Sequence, residues 1–168
     1  MAGMTGRTAR LLGVLALAAV GATALGGCSY PFVLPLLPPP HRDQVAASYE
    51  QTWRALIRAL AAENVPLRTV AKDSGVISSD DIISPIGVYA DCGRLGAVAL
   101  EGEALVTFTV FVQPNGTATE LQVNSTMRTH AFRRGDSGSL RSDRVFQCAT
   151  TGRWEANLAD TVRRLTQE

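Results

Sequence analysis

Histidine is almost missing from this chain: His41 and His130 are the only two in 168 residues. Neither has ligand spacing to a cysteine, which excludes the common zinc patterns, and no metal or cofactor is expected. Paired catalytic acids are missing too, since Asp80 and Asp81 are merely adjacent and alternate to opposite faces if the chain is extended there. No set of nucleophile, base and orienting group stands out, so the chain is not read as an enzyme. Charge of one sign is also lacking: the formal net charge is +1, which gives no reason to expect a nucleic-acid partner. The long apolar run from Leu11 to Leu25 is too short to span a bilayer comfortably as a permanent helix. Cysteine is sparse, with three residues, Cys28, Cys92 and Cys148, and their positions organise the rest of the reading.

Residues 1–27 have the three parts of an export signal: Arg7 and Arg10 at the head, the apolar run, and small Gly26 and Gly27 before the cut. The junction Leu25-Gly26-Gly27-Cys28 resembles the lipobox of bacterial lipoproteins, which implies that Cys28 receives a diacylglycerol and becomes the acylated first residue of the mature protein. Each buried methylene contributes about 0.8 kcal/mol, so two or three acyl chains would hold the protein on a membrane essentially permanently. Ser29, in place of an aspartate, is what the resemblance associates with onward transfer to the outer membrane of a Gram-negative cell, facing the periplasm. Without Arg7 and Arg10 the 16 basic residues become 14 against 15 acidic ones, a net charge of −1.

Assigning Cys28 to lipid leaves Cys92 and Cys148 alone in an oxidising compartment, where a disulfide is expected. On the chain-entropy model it would contribute roughly 4 kcal/mol. Residues 28–42 then form a lipidated cysteine and a linker, and residues 43–168 one domain of about 125 residues, near the usual size for a single core. Within the linker, Tyr30 to Pro40 reads YPFVLPLLPPP. Its prolines favour polyproline II, which at about 3.1 Å per residue reaches roughly 30 Å. Phe32, Val33, Leu34, Leu36 and Leu37 are apolar for a solvated spacer, and the alternative is a segment lying on the membrane or in a partner's groove.

Asp43 is the expected N-cap of a first helix whose apolar stripe is Val45, Tyr49, Trp53, Leu56, Ile57 and Leu60, ending at Asn64 and Pro66. Glu50 and Arg54 stand four apart in the favourable order. A hairpin follows over Val65 to Ser79 around Lys72-Asp73-Ser74-Gly75, and a longer one over Ala104 to Met127 around Asn115-Gly116. In the second, Val106, Phe108, Val110 and Val112, with Leu121, Val123 and Met127, face the core. Asp80 to Gly102 reads as a loop carrying Cys92, and the arginine-rich stretch from Arg128 to Gln147 as an exposed excursion that is either simply solvated or meets anionic lipid. Thr150 or Thr151 caps a last helix with Trp154, Leu158, Val162 and Leu165 on one face.

Two tempting motifs carry no weight. Gly135-Asp136-Ser137-Gly138 resembles the nucleophile segment of trypsin-like serine proteases, but the chain is too short for that fold and has no histidine in a matching segment. The Asn-X-Thr triplets at Asn115 and Asn124 mean little in a bacterial lipoprotein.

Trp53-Arg-Ala-Leu56, the turn Asp73-Ser-Gly75-Val-Ile77-Ser, two long strands and a closing helix together resemble the helix-grip domains of the C lipoprotein of the outer-membrane β-barrel assembly machine. Asp91-Cys92-Gly93 and Cys148-Ala-Thr-Thr-Gly152 also look like segments of small proteobacterial lipoproteins with a paired cysteine. The expected fold is α+β: an antiparallel sheet of about four strands in two hairpins, with an N-terminal and a C-terminal helix on one face. The expected function is binding, as a lipid-anchored accessory or structural component of outer-membrane assembly or maintenance with an envelope protein as partner. The alternative is a binder or carrier of a small apolar ligand or lipid in a groove lined by Trp53, Phe108 and Trp154.

Overall fold

Alternation of apolar and polar side chains makes two long strands the axis of the fold in the computed structural model, which describes residues 32–133 and 139–168. These strands, β9 (Glu103–Asn115) and β10 (Ala118–Arg133), pair antiparallel from Asn115↔Ala118 to Thr107↔Thr126. Val106, Phe108, Val110 and Val112 of β9 are buried, as are Leu121, Val123 and Met127 of β10. The turn falls on Gly116 and Thr117, one residue later than Asn115-Gly116, because Asn115 still pairs with Ala118. Gly116 takes the left-handed conformation at φ 61°.

The expectation of about four strands is corrected by an eight-stranded antiparallel sheet. Its main path runs through β3 (Leu67–Ala71), β4 (Val76–Ser79), β9, β10, β11 (Ser139–Thr150) and β6 (Ala90–Asp91). Off this path, β2 (His41–Val45) pairs with β10 and β5 (Ile82–Pro85) with β9. The additional strands come from three stretches expected to be something else. Asp43 lies inside β2 rather than capping a helix, and buried Val45 belongs to that strand. The span from Asp80 to Gly102 holds β5 and β6 as well as β7 (Arg94–Leu95) and β8 (Val98–Ala99). The arginine-rich stretch continues β10 to Arg133 and then returns as β11, paired from Met127↔Cys148 to Arg133↔Ser139. Strands of two to five residues offer too few inward positions for alternation to show, and neighbouring strands supply the pairing that their own sequence does not announce.

One close approach locks the β3–β4 hairpin onto the sheet. Gly75, at φ +67°, ends the turn with its N–H donating to the Lys72 carbonyl at 3.0 Å, and its own carbonyl accepts from Val112 N at 2.8 Å. A Cβ there would sit 2.1 Å from the Val112 carbonyl oxygen, so no other residue fits without moving β9.

Helix α1 (Tyr49–Ala62) starts at a capping box, in which the Ser48 side chain accepts from Gln51 N and the Gln51 side chain from Ser48 N. Trp53, Leu56, Ala59 and Leu60 are its buried stripe. Glu50 pairs with Lys72 at 2.7 Å, while Arg54 reaches only the Glu50 backbone carbonyl at 3.3 Å. The Tyr49 hydroxyl donates to the Lys72 carbonyl, so the first turn of α1 holds the β3–β4 turn twice. Helix α2 (Arg153–Leu165) begins at Gly152, without a side-chain cap. Thr150 and Thr151 do not cap it as expected: Thr150 Oγ1 accepts from Gly152 N at 3.0 Å, and Thr151 Oγ1 donates to the Val88 carbonyl at 3.0 Å. Trp154, Leu158 and Val162 are buried, and Leu165 is half-buried.

From Phe32 on, the proline-rich segment is part of this folded unit. In a separate three-stranded sheet, β1 (Phe32–Val33) pairs with β7, and β7 with β8. The Phe32 ring packs on Phe146 with centroids 5.1 Å apart. Backbone contact is close enough that a Cβ on Gly93 would lie 2.2 Å from the Val33 carbonyl oxygen. From Phe32 onward the segment therefore runs along its own domain instead of standing free as a spacer. Leu34, Leu36 and Leu37 remain exposed, Leu36 at 95 %.

Candidate functional site

Of the three groove residues expected from sequence, the fold brings two together. Phe108 on β9 and Trp154 on α2 stack with centroids 3.5 Å apart and planes 15° from parallel. Both line an open pocket of about 300 Å³ whose other walls include the chain just after α1, from Glu63 to Pro66, and Ile82, Ser84 and Tyr89. Trp154 Nε1 donates to Glu63 Oε2 at 3.0 Å, satisfying the one polar atom of a buried indole. Trp53 lies elsewhere, stacked on Tyr49 at 6.0 Å with its side chain in the core.

A larger cleft, of about 640 Å³, lies at a fork in the sheet. One edge of β10 is covered by β9. Along the other edge β2 pairs from Thr119 to Val123, and β11 takes over from Met127. Neither strand pairs with Asn124, Ser125 or Thr126, and the opening between them is the cleft. One wall is Leu37 to Arg42, where the proline-rich segment runs into β2; the other is Gln147 to Gly152, where β11 runs into α2.

Glu155, in the first turn of α2, also lines this cleft and is only 1 % exposed. Its position at a helix N-terminus favours negative charge. Oε1 accepts from Ser125 Oγ at 2.5 Å, whereas Oε2 is buried with no hydrogen-bond partner among the described residues. Neither Glu155 nor Ser125 was singled out by sequence. The available signal was Ser125 itself, a polar residue at an inward-facing position between Val123 and Met127, which needs a buried partner.

Cys92 and Cys148 form a disulfide, with Cα atoms 4.1 Å apart and 56 residues of separation. It joins the β6–β7 connection to β11 beside the cleft, since Cys148 is also a cleft residue. Among the described residues no group of three or more His, Cys, Asp or Glu is placed to hold a metal ion. Cys28 and the Gly135-Asp136-Ser137-Gly138 stretch lie outside the described residues. No protein-family model matches the chain, and no curated protein matches it.

Proposed function

We propose that this protein is a lipid-anchored, periplasm-facing envelope protein that works by binding, as an accessory or structural component of outer-membrane assembly or maintenance. The observation that carries this reading is the division of the three cysteines: Cys28 closes an export-signal pattern, and the two others are bonded to each other. A disulfide suits an oxidising compartment, and an acylated Cys28 would leave no thiol over. The exposed Leu34, Leu36 and Leu37, shortly after Cys28 in the chain, are also what a domain held against a bilayer would present. The test has two arms. Cys28→Ala should move the protein from the membrane fraction to the soluble fraction, and unchanged fractionation overturns the anchor. In-cell crosslinking should recover envelope proteins above a scrambled-anchor control, and recovery at control level overturns the binding role.

A second reading is a carrier of a small apolar ligand or lipid, supported by the pocket of about 300 Å³ beside Phe108 and Trp154. Native mass spectrometry of the purified protein should then retain a lipid-sized adduct that Trp154→Phe weakens.

A further inference from the structure

We infer that the fork cleft binds a ligand carrying a primary ammonium group on an aliphatic body, with Glu155 as the anion that receives the ammonium. The inference rests on reading the protein as a binder but not on its membrane anchor.

Glu155 carries the argument. A carboxylate removed from water needs donors for both oxygens, because each lone pair left without one costs much of its lost hydration. Ser125 serves Oε1, and nothing among the described residues serves Oε2. Arg42, which lines the cleft, is turned to Glu120 at 3.8 Å and has a side chain 66 % exposed. Arg128, further along β10, pairs with Asp81, and Arg163, two turns further along α2, pairs with Asp43 and Asp160. The missing donor therefore fits a ligand, and a charged N–H is the strongest partner a buried carboxylate can take.

Geometry narrows the cation. A guanidinium is best matched by both oxygens of a carboxylate at once, and here one of the two is already engaged by the Ser125 hydroxyl. A compact ammonium needs only the free oxygen. The rest of the ligand meets an apolar wall of Leu37, Pro38, Pro39, Pro40 and Val123, which suits methylene groups rather than further charge. The cleft's volume is within the range of small-molecule sites.

The experiment is calorimetric titration of the purified, disulfide-intact protein with n-hexylammonium, n-hexylguanidinium, hexanol and hexanoate. Saturable one-to-one binding of hexylammonium is expected, with the other three weaker by at least about tenfold. Glu155→Gln should weaken hexylammonium by a similar factor. Should that variant fail to fold, Gln147→Trp, which narrows the mouth at an exposed residue, must produce the same loss with thermal stability retained. No saturable binding, equal binding of all four probes, or undiminished binding in the folded variants overturns the assignment. So does a crystal structure grown with hexylammonium in which Oε2 holds only an ordered water. If amine binding fails while Cys28→Ala still releases the protein from membranes, the cleft assignment falls and the anchored reading stands.

Discussion

The Trp154 indole lies flat on the Phe108 ring, with centroids 3.5 Å apart, and this contact joins the closing helix to the centre of the sheet. Through Nε1 the same side chain also holds Glu63, at the C-terminal end of α1, so three elements meet on one residue. Trp154→Ala should cost about 3–5 kcal/mol, in the range for emptying a large aromatic site. Trp154→Phe keeps an aromatic ring against Phe108 but loses part of the indole's area and the Glu63 hydrogen bond, and should cost less than Ala, about 1–3 kcal/mol. Urea unfolding of the two variants checks both the size and the order of the losses.

The Cys92–Cys148 bond closes 56 residues of sequence, a span that holds β7, β8, β9, β10 and most of β11. Reduction, or the double variant Cys92→Ala and Cys148→Ala, should lower stability by about 2–5 kcal/mol. The fork cleft should be affected as well, because Cys148 lines it. Thermal unfolding with and without reductant measures the loss, and mapping under non-reducing conditions should recover the two cysteine peptides as one linked mass.

Gly75 tests a different kind of constraint, one in which no side chain is lost. Ala at this position faces both a left-handed backbone, at φ +67°, and a Cβ 2.1 Å from the Val112 carbonyl oxygen. Gly75→Ala should therefore destabilise by about 2 kcal/mol or more, whereas a lone gain of a methyl on an ordinary turn would not. The amide proton of Val112, which donates to the Gly75 carbonyl at 2.8 Å, should exchange faster in the variant. Unchanged protection there would mean that the hairpin does not depend on this contact.

What could be read from the chain was what repeats over many residues. Val106, Phe108, Val110 and Val112 declare β9 by alternation, and Trp53, Leu56 and Leu60 declare α1 by helical spacing. The start of α1 was legible in Ser48-Tyr49-Glu50-Gln51, a hydroxyl three residues before an amide, but Asp43 is an equally good cap when nothing shows that His41–Val45 pairs with β10. Short β5 and β6 gain their identity only from Val106 and Ala149 across the sheet, so local sequence had nothing to reveal them. The cleft was hidden for the same reason: Leu37, Ser125 and Glu155 are far apart in sequence and meet only because β2 and β11 leave a gap on one edge of β10.

Leu34 and Leu36 separate a membrane-facing role from a packing role. They are 59 % and 95 % exposed, so changing them removes little that the fold uses. Leu34→Ser with Leu36→Ser should shift folding stability by no more than about 0.5 kcal/mol per site. Leu37 is left in place because it walls the cleft. Each leucine fully inserted among lipid chains would contribute about 1.5–3 kcal/mol, so the pair is worth at least about a hundredfold in partitioning. In a Cys28→Ala background, where no acyl chain could mask the effect, co-sedimentation with liposomes should fall by that factor when both leucines become serine. Equal co-sedimentation of the two proteins would show that this apolar row does not meet the bilayer and is free for a protein partner.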